Sequence, residues 1–325
     1  MNRLYNIDTL KFVCAVLVVF LHVRTPYQDY ILPLTRCAVP CFLIISGYLI
    51  FTENKLKLEN KLKRSIIKML HILVWSTLLF APVKLFRAFM HDDFSFLNFK
   101  TLVDFVLFNE NPFGFHLWYI GAYLYTVVIV LLLLKKNGIS YAYWMIPVLL
   151  LLDLCFGKYS IMLWHKEFPF ILVRNFICVG LPYFLIGMLL KHWREVILRY
   201  ANLQILSLGG VVLFSLTSLM ENHLLVRLDM NAIRDHYLSS TFLAISLFLL
   251  FLSTKQTNAN ILSILGEKYS LYIYIFHPLF LFSIPILNNF LPLFWQDAYT
   301  YLSPLVILIS TIIFCKILRI TNIIK

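Results

Sequence analysis

Charged residues are scarce in this 325-residue chain, and acidic ones are the scarcest. They make up 14% of the sequence, with 16 acidic against 28 basic residues, whereas hydrophobic residues make up 61%. Soluble domains carry about 25% charged and roughly 45–50% apolar residues. The shortage of charge therefore excludes an ordinary soluble protein. The net charge of +12 lies beside apolar runs, so it indicates a lipid bilayer with anionic headgroups as the partner, and no nucleic acid.

Other signatures are missing as well. The sequence has no Gly-rich phosphate loop and no nucleophile elbow. The alternating strands of a membrane barrel are absent, because the apolar runs are continuous and too long. The six cysteines show no ligand spacing with histidine, so we expect no metal. With no long soluble loop, linker or low-complexity tract, residues 1–325 are predicted to form a single membrane domain.

The apolar runs predict an all-α integral membrane protein of about ten transmembrane helices. The first run lacks a small-residue cleavage site, so we expect a retained span. The predicted spans are 7–23, 33–52, 67–90, 116–134, 141–157, 170–190, 203–221, 237–254, 269–287 and 301–319.

Lysine and arginine favour alternate connections between these spans. The richest connection follows the second span and holds Lys55, Lys57, Lys61, Lys63, Arg64 and Lys68. Cytoplasmic connections carry the excess of basic residues in membrane proteins. The bias therefore predicts that both termini are cytoplasmic. We expect a multi-pass protein of the inner membrane.

The first span keeps three ionisable residues, Asp8, Lys11 and His22. Asp8 and Lys11 are three apart and share a helix face. Lys11 and His22 are eleven apart, roughly 1100° of rotation, which returns to within about 20° of that face. Charges inside a membrane helix are costly and typically functional. Asp8 as a helix N-cap and Lys11 reaching the headgroups are simpler interpretations, but neither accounts for His22.

The predicted topology sorts the polar residues by depth. His22 lies roughly 22 Å into a hydrocarbon core of about 30 Å, toward the outside. The outer half of the bundle then holds His22, Arg36, His116, Trp118 and Arg174, and the inner half holds Asp8, Lys11, Arg64, Lys68, Glu267 and Lys268. Headgroup contacts are an alternative for the two arginines, as is an interfacial aromatic belt for His116 and Trp118. A histidine beside a proline kink, such as His277 before Pro278, is more often structural than catalytic.

Short motifs along the chain resemble those of membrane-bound acyltransferase family 3. The first is a basic residue followed, after ten positions, by a histidine, as in Lys11 and His22, although arginine is commoner at the first place. The others are Asp8-Thr9-Leu10-Lys11, Arg36-Cys37-Ala38-Val39-Pro40, Ser46-Gly47-Tyr48, the pair Arg64 and Lys68, His116-Leu117-Trp118-Tyr119, Pro182-Tyr183-Phe184-Leu185-Ile186-Gly187 and Ser270-Leu271-Tyr272-Ile273-Tyr274-Ile275-Phe276-His277-Pro278.

The resemblance implies transfer of an acyl group, most often acetyl from coenzyme A, to a hydroxyl of a surface glycan or similar acceptor. We expect His22 to act as general base or, as an alternative, as a transient acyl carrier. Asp8 and Lys11 would hold the donor end of the channel or orient one another. The donor phosphates are assigned to Arg64 and Lys68, and the acceptor or reaction centre to Arg36, His116, Trp118 and Arg174.

Two other functions remain open. A transporter or flippase would use the same polar stripe as a path for a lipid-linked glycan or a small exported molecule. Secondary transporters often carry internal repeats, and none is evident in the sequence. A structural subunit without chemistry does not explain the buried basic and histidine residues. Dependence of the activity on acyl-coenzyme A separates the enzyme from both.

Overall fold

The computed structural model of the chain describes residues 3–281 and 283–321. The secondary structure of this part of the chain is helical, with no strand, which confirms the all-α prediction. In chain order the helices are α1 (Tyr5–His22), α2 (Gln28–Thr35), α3 (Ala38–Ile50), α4 (Lys55–His91), α5 (Phe99–Phe108), α6 (Trp118–Lys135), α7 (Ile139–Phe156), α8 (Ser160–Trp164), α9 (Phe170–Val173), α10 (Leu181–His192), α11 (Arg194–Leu198), α12 (Leu203–Arg227), α13 (Leu238–Ser253), α14 (Ile261–Leu281), α15 (Ser283–Phe290) and α16 (Leu293–Ile320).

Among the described residues, eight helical regions are long and apolar enough to cross a membrane. They are Tyr5–His22, Gln28–Ile50, Lys55–His91, Phe115–Lys135, Ile139–Phe156, Phe170–His192, Leu203–Arg227 and Leu293–Ile320. Helix α13 is apolar but has 16 residues. Helix α14 has 21 residues but contains Glu267, Lys268 and His277, which make it more polar. The count of about ten spans and the cytoplasmic termini stay predictions.

Helix α4 begins well before the predicted third span. It runs for 37 residues, or about 55 Å, so the basic connection and the span form one continuous helix. The side chain of Asn54 accepts a hydrogen bond from the Lys57 amide and caps its start. Glu59 and Lys63 pair at 2.7 Å along the same stretch, which supports the first turns. The first turns of α4 are rich in charged residues, so its beginning is not marked by an apolar run.

The predicted sixth span is interrupted. A π-helical turn, Phe176–Gly180, separates α9 from α10. Asn175 caps this turn, because its side chain accepts from the amides of Ile177 and Cys178 at 2.8 and 2.9 Å. Pro182 lies in the first turn of α10, where its missing amide hydrogen costs no hydrogen bond. These local signals place Arg174 at the end of α9, in an irregular stretch of backbone.

The chain divides into two compact units. The first unit comprises Met1–Phe42, Asn202–Asn222 and Ser239–Lys325, and the second comprises Leu43–Ala201 and His223–Leu238. The prediction of one membrane domain covering the chain stays a prediction.

In the first unit, α14 packs against both α1 and α16. The contact with α1 is close at Gly266, where an added Cβ would lie 1.7 Å from the carbonyl oxygen of Asp8. Close approach of two helix backbones requires a residue without a side chain. The side chain of Asn6 also donates to the carbonyl oxygens of Phe251 and Thr254. These contacts fix the start of α1 against α14 and the end of α13.

In the second unit, α3 and α10 cross through a reciprocal pair of glycines. A Cβ on Gly47 would lie 2.0 Å from the Phe184 carbonyl oxygen, and one on Gly187 would lie 2.1 Å from that of Ile44. Small residues at such crossings let membrane helices pack backbone to backbone. Helix α6 packs on α4, and α7 packs on α10. The crossing sets the positions of the side chains that follow it, including Tyr48.

Candidate active site

The start of α1 carries a network of charges. Asp8 accepts from Lys11 Nζ at 2.9 Å and from Arg3 Nε at 3.1 Å, and Arg3 also pairs with Glu267 of α14. The hydrogen bond to Glu267, followed by that to Asp8, raises the pKa of the Arg3 guanidinium. Helix α1 begins at Tyr5, so Asp8 is not its N-cap. The Arg3–Glu267 contact thus links the Asp8–Lys11 pair of α1 to α14.

His22 is the last residue of the same helix and is half-buried. Its Nδ1 lies 2.9 Å from the carbonyl oxygen of Val18, four residues earlier. A carbonyl oxygen only accepts, so Nδ1 carries the proton and the neutral ring has its lone pair on Nε2. The backbone of α1 thus selects the tautomer in which Nε2 is basic.

His277 on α14 faces His22. The two ring centroids are 5.0 Å apart, with the planes tilted by 47°. His277 is fully buried, and its own Nδ1 lies 3.0 Å from the carbonyl oxygen of Ile273. The same tautomer argument applies, so its Nε2 also bears a lone pair. Two imidazoles with basic Nε2 atoms therefore lie side by side.

The sequence interpretation favoured a structural role for His277 and did not include this pairing. A signal was available, because Ser270, Tyr274 and His277 are spaced by four and three residues and share one face of α14. The contact itself depends on how α14 lies against α1. Along α1, about 16 Å of helix separates Lys11 from His22, so the polar stripe comprises an ionic network near one end and a histidine pair at the other.

Arg174, in the second unit, is enclosed by aromatic rings. Its guanidinium lies 3.9 Å from the centroid of Phe115, 4.4 Å from that of Phe170 and 5.4 Å from that of Trp118. Only 6% of Arg174 is exposed, so the side chain packs inside the protein and does not extend to lipid headgroups. Cation–π contacts of this kind strengthen when water is excluded.

His116 and Trp118 are also buried in the second unit. The ring of His116 meets Phe80 edge to face, with centroids 4.7 Å apart. A residue of an interfacial aromatic belt would lie at the lipid surface. Both side chains instead pack within the second unit, so the belt interpretation is wrong for them.

A cavity of about 140 Å³ opens beside Arg174. Its lining residues are Thr101, Asp104, Glu110, Asn111, Pro112, Phe115, Trp118 and Arg174. One cation and two carboxylates thus border a space that a small polar molecule would fill. Within the described residues, the carboxylates of Asp104 and Glu110 form no hydrogen bond or ion pair.

The remaining predicted residues lie elsewhere. Arg36 is half-buried in the turn between α2 and α3 and belongs to the first unit. Arg64 and Lys68 belong to the second unit, four residues apart on one face of α4, and both are exposed. The predicted site residues therefore fall into two groups: Asp8, Lys11, His22 and Arg36 in the first unit, and Arg64, Lys68, His116, Trp118 and Arg174 in the second.

A buried pair in the second unit was also missed. His236 Nδ1 lies 2.8 Å from Asp153 Oδ2, and both residues are at most 5% exposed. The carboxylate orients the imidazole as in other His–Asp pairs. The pair joins α7 to the segment before α13, 83 positions away in sequence.

The chain is similar in sequence to a known family and to known proteins. The sequence model of a family described as "Acyltransferase domain" matches residues 4–318. The chain is 31% identical over 160 residues to a serine/alanine racemase of Enterococcus gallinarum, covering 46% of this chain and 22% of the racemase. It is 28% identical over 148 residues to an amino-acid racemase of Enterococcus faecalis, covering 42% and 20%. The matches thus span about a fifth of each racemase. No solved structure matches the chain.

Proposed function

Because the chain belongs to acyltransferase family 3, we propose that it transfers an acetyl group from cytoplasmic acetyl-coenzyme A to a hydroxyl of a cell-surface or periplasmic glycan or a similar acceptor. Family membership and the apolar helices make it a multi-pass membrane acyltransferase. The donor, the acceptor and the inner membrane as its location are part of the proposal.

The observation that carries the proposal is the histidine pair. Transfer from a thioester requires that the acceptor hydroxyl lose its proton as its oxygen attacks. Histidine is the side chain whose pKa lies nearest neutral pH, and the backbone bond to Val18 leaves the lone pair of His22 on Nε2. His22 is therefore the general base of the proposed reaction.

The proposed step balances without another reactant. His22 Nε2 takes the hydroxyl proton while the acceptor oxygen bonds to the thioester carbonyl carbon. The C–S bond then breaks, and His22 returns the proton to the departing thiolate, which gives an ester and free coenzyme A. The ring of His277, whose tautomer is set in the same way, lies 5.0 Å from the ring of His22 that becomes positively charged.

The ionic network at the start of α1 supports this step indirectly. Lys11, Asp8 and Arg3 tie α1 to Glu267 of α14. Because His22 and His277 are on those same two helices, the network fixes the register in which their rings meet. Asp8 and Lys11 are thus positioning residues in the proposal, and the donor end of the channel lies beside them.

We expect the Arg64→Ala, Lys68→Ala double variant to raise the KM for the acyl donor by about 10- to 100-fold with little change in acceptor KM. Arg64 and Lys68 are exposed and four residues apart, so both cations reach one phosphate group. Initial rates of the purified protein at varied acetyl-coenzyme A measure this. Lys63→Ala is the control, since Lys63 pairs with Glu59 on the surface. An unchanged donor KM in a fully inserted double variant refutes the assignment.

Arg174→Lys is expected to raise the acceptor KM by about 10-fold or more and to leave the donor KM unchanged. Lysine keeps the charge but loses the planar fork that stacks on Phe115 and Phe170. Steady-state kinetics with varied acceptor test this, with the exposed Arg227→Lys as the matched control. A rise in donor KM instead would move Arg174 from the acceptor side to the donor side.

A second candidate function is passage of a small molecule across the membrane. Arg174 opposite Asp104 and Glu110 complements the carboxylate and ammonium groups of an amino acid, and two similar proteins are named as racemases of amino acids. Flux of labelled serine into proteoliposomes without acyl-coenzyme A is the measurement that favours this function over acyl transfer.

Mass spectrometry of surface glycans tests the main proposal in cells. Cells that express the protein should carry glycans heavier by one acyl group than cells that lack it. The His22→Gln variant, expressed to the same level, should restore no acyl mass. Identical glycan masses in cells that express the protein and in cells that lack it would argue against a surface-glycan acceptor.

A further inference from the structure

Three cations gather around the ends of α3, α4 and α10 in the second unit. They are Lys61 on α4, Lys191 on α10 and Arg194 on α11, and all three are half-buried. Lys61 Nζ donates to the carbonyl oxygen of Leu49 at 3.1 Å. Lys191 Nζ lies 4.9 Å above the ring of Tyr48. Arg194 begins α11 three residues after Lys191, and both Arg194 and Lys61 are near enough to Lys191 for their charges to repel it, so the three side chains form one cluster.

The helix crossing at Gly47 and Gly187 holds the cluster in place. Tyr48 follows Gly47 on α3, and Lys191 lies one helical turn after Gly187 on α10. Because the two backbones meet without side chains between them, the Tyr48 ring is fixed beneath the Lys191 ammonium. Arg194, at the start of α11, also lies near the Tyr48 hydroxyl. Rigid helix packing therefore preorganises these groups.

No acidic side chain of the described residues neutralises the cluster. Within residues 3–281 and 283–321, none of Lys61, Lys191 and Arg194 forms an ion pair. Three acids lie near the cluster. Glu59 pairs with Lys63 at 2.7 Å, and the exposed Glu53 lies 3.8 Å from His192. Glu195 follows Arg194 in sequence but is exposed and forms no ion pair with it.

One hydrogen-bond donor of the cluster also lacks an acceptor among the described residues. Arg194 Nε is buried and has no hydrogen-bond partner among the described residues. A buried donor without an acceptor costs free energy, and so do neighbouring like charges that are partly removed from water. An anion bound between the three side chains would remove both costs.

We propose that Lys61, Lys191 and Arg194 bind a phosphate group, either a phosphate monoester or a diphosphate. A guanidinium fork and two ammonium groups match phosphate oxygens. Two sources carry this chemistry on the side predicted to be cytoplasmic: the nucleotide part of coenzyme A and an anionic lipid headgroup. The nucleotide source rests on the proposed function, whereas the phosphate site does not.

The site lies beside the predicted donor contacts. Lys61 and Arg64 are three residues apart on one face of α4, so Arg64 and Lys68 continue the cluster along that helix. Coenzyme A carries a diphosphate and a separate 3′-phosphate. The half-buried cluster and the exposed Arg64 and Lys68 pair would hold different phosphates of one donor.

The experiment uses the full-length protein in nanodiscs of neutral phosphatidylcholine. Calorimetric titration with pyrophosphate, adenosine 3′,5′-bisphosphate and coenzyme A measures Kd for the wild type and for the Lys191→Gln, Arg194→Gln double variant. We expect the double variant to raise the Kd by about 10- to 100-fold. Arg199→Gln is the control, because Arg199 is exposed just beyond α11. Near-unchanged thermal unfolding of each variant is required first, with Lys61→Gln as the substitute if the double variant misfolds.

The outcomes separate the two sources. Weaker nucleotide binding in the variant identifies the donor phosphates as the ligand. If no soluble phosphate binds, but mass spectrometry shows phosphatidylglycerol retained by the wild type and lost from the variant, the ligand is a lipid headgroup. Equal Kd values and equal lipid retention in the variant and the wild type would overturn the phosphate site.

The same data distinguish failure of the site from failure of the proposed function. If pyrophosphate binding depends on the cluster but the protein transfers no acyl group, the phosphate site is supported and the proposed acyltransferase function is contradicted. Acyl transfer in a protein whose phosphate Kd values and lipid retention are both unaffected by the variants would support the enzyme and contradict the site.

Discussion

Replacing His22 by glutamine is expected to lower the rate of acyl transfer by about 10² to 10⁴-fold, the range for loss of a positioned general base. Glutamine keeps much of the size of the side chain and can hydrogen-bond to the Val18 carbonyl. It has no basic nitrogen to take the acceptor proton. Donor binding and membrane insertion should stay near wild-type values, because the ionic network at the start of α1 is untouched. Single-turnover rates of the purified variant measure the loss.

The relative activities of the glutamine and alanine variants distinguish a general base from a structural histidine. If His22 is the base, glutamine and alanine are almost equally inactive. If His22 only packs, glutamine retains most of the activity and alanine lowers the yield of folded protein. His71→Gln is a matched control, since His71 forms the same bond to a carbonyl four residues earlier, at 2.7 Å to Ile67, but is exposed. Substantial activity in His22→Gln would move the catalytic centre elsewhere.

Gly266→Leu is expected to remove most of the folded protein. A side chain at this position begins 1.7 Å from the Asp8 carbonyl oxygen, so α1 and α14 must separate. The register of His22 and His277 depends on that contact. Overpacking typically costs about 1–3 kcal/mol, and the clash here is with backbone, which cannot rotate away. Size-exclusion profiles and thermal unfolding of the purified protein measure the loss.

Gly209→Leu is the control for this variant. Gly209 is also helical and belongs to the first unit, but a Cβ there meets nothing within 4 Å. It tests whether leucine in an apolar helix is harmful in itself. We expect Gly209→Leu to be nearly as stable as the wild type. Equal stability of both variants would show that α1 and α14 do not pack through Gly266.

Much of the fold was predictable because long apolar runs and helix formation go together in membranes. Helix α1 starts at Tyr5 and was predicted from residue 7. The beginning of α4 was not predictable by this rule, since residues 55–66 are largely polar and helical through pairs such as Glu59 with Lys63. The break between α9 and α10 depends on the Asn175 cap and a π-turn, for which the apolar pattern carries no signal.

The candidate site also has a part that was predictable from the sequence and a part that was not. Asp8 and Lys11 are neighbours on one helix, so spacing alone predicted their contact. His22 and His277 are 255 positions apart, and Asp153 and His236 are 83 apart. Such contacts depend on which helices pack together, and a single sequence does not specify that. The aromatic contacts of Arg174 were also not predictable from spacing, because its partners include residues more than 50 positions away as well as nearby Phe170.

The central claim is that the protein moves an acyl group from acyl-coenzyme A to a hydroxyl with His22 as the base. The most direct measurement uses proteoliposomes given ¹³C-acetyl-coenzyme A on one side and a hydroxyl-bearing glycan extract on the other. Mass spectrometry then follows labelled ester and free coenzyme A. We predict equal amounts of both products with the wild type and a loss of both with His22→Gln. Transfer that proceeds equally well with His22→Gln, or transport of an acceptor with no consumption of acetyl-coenzyme A, would contradict the account.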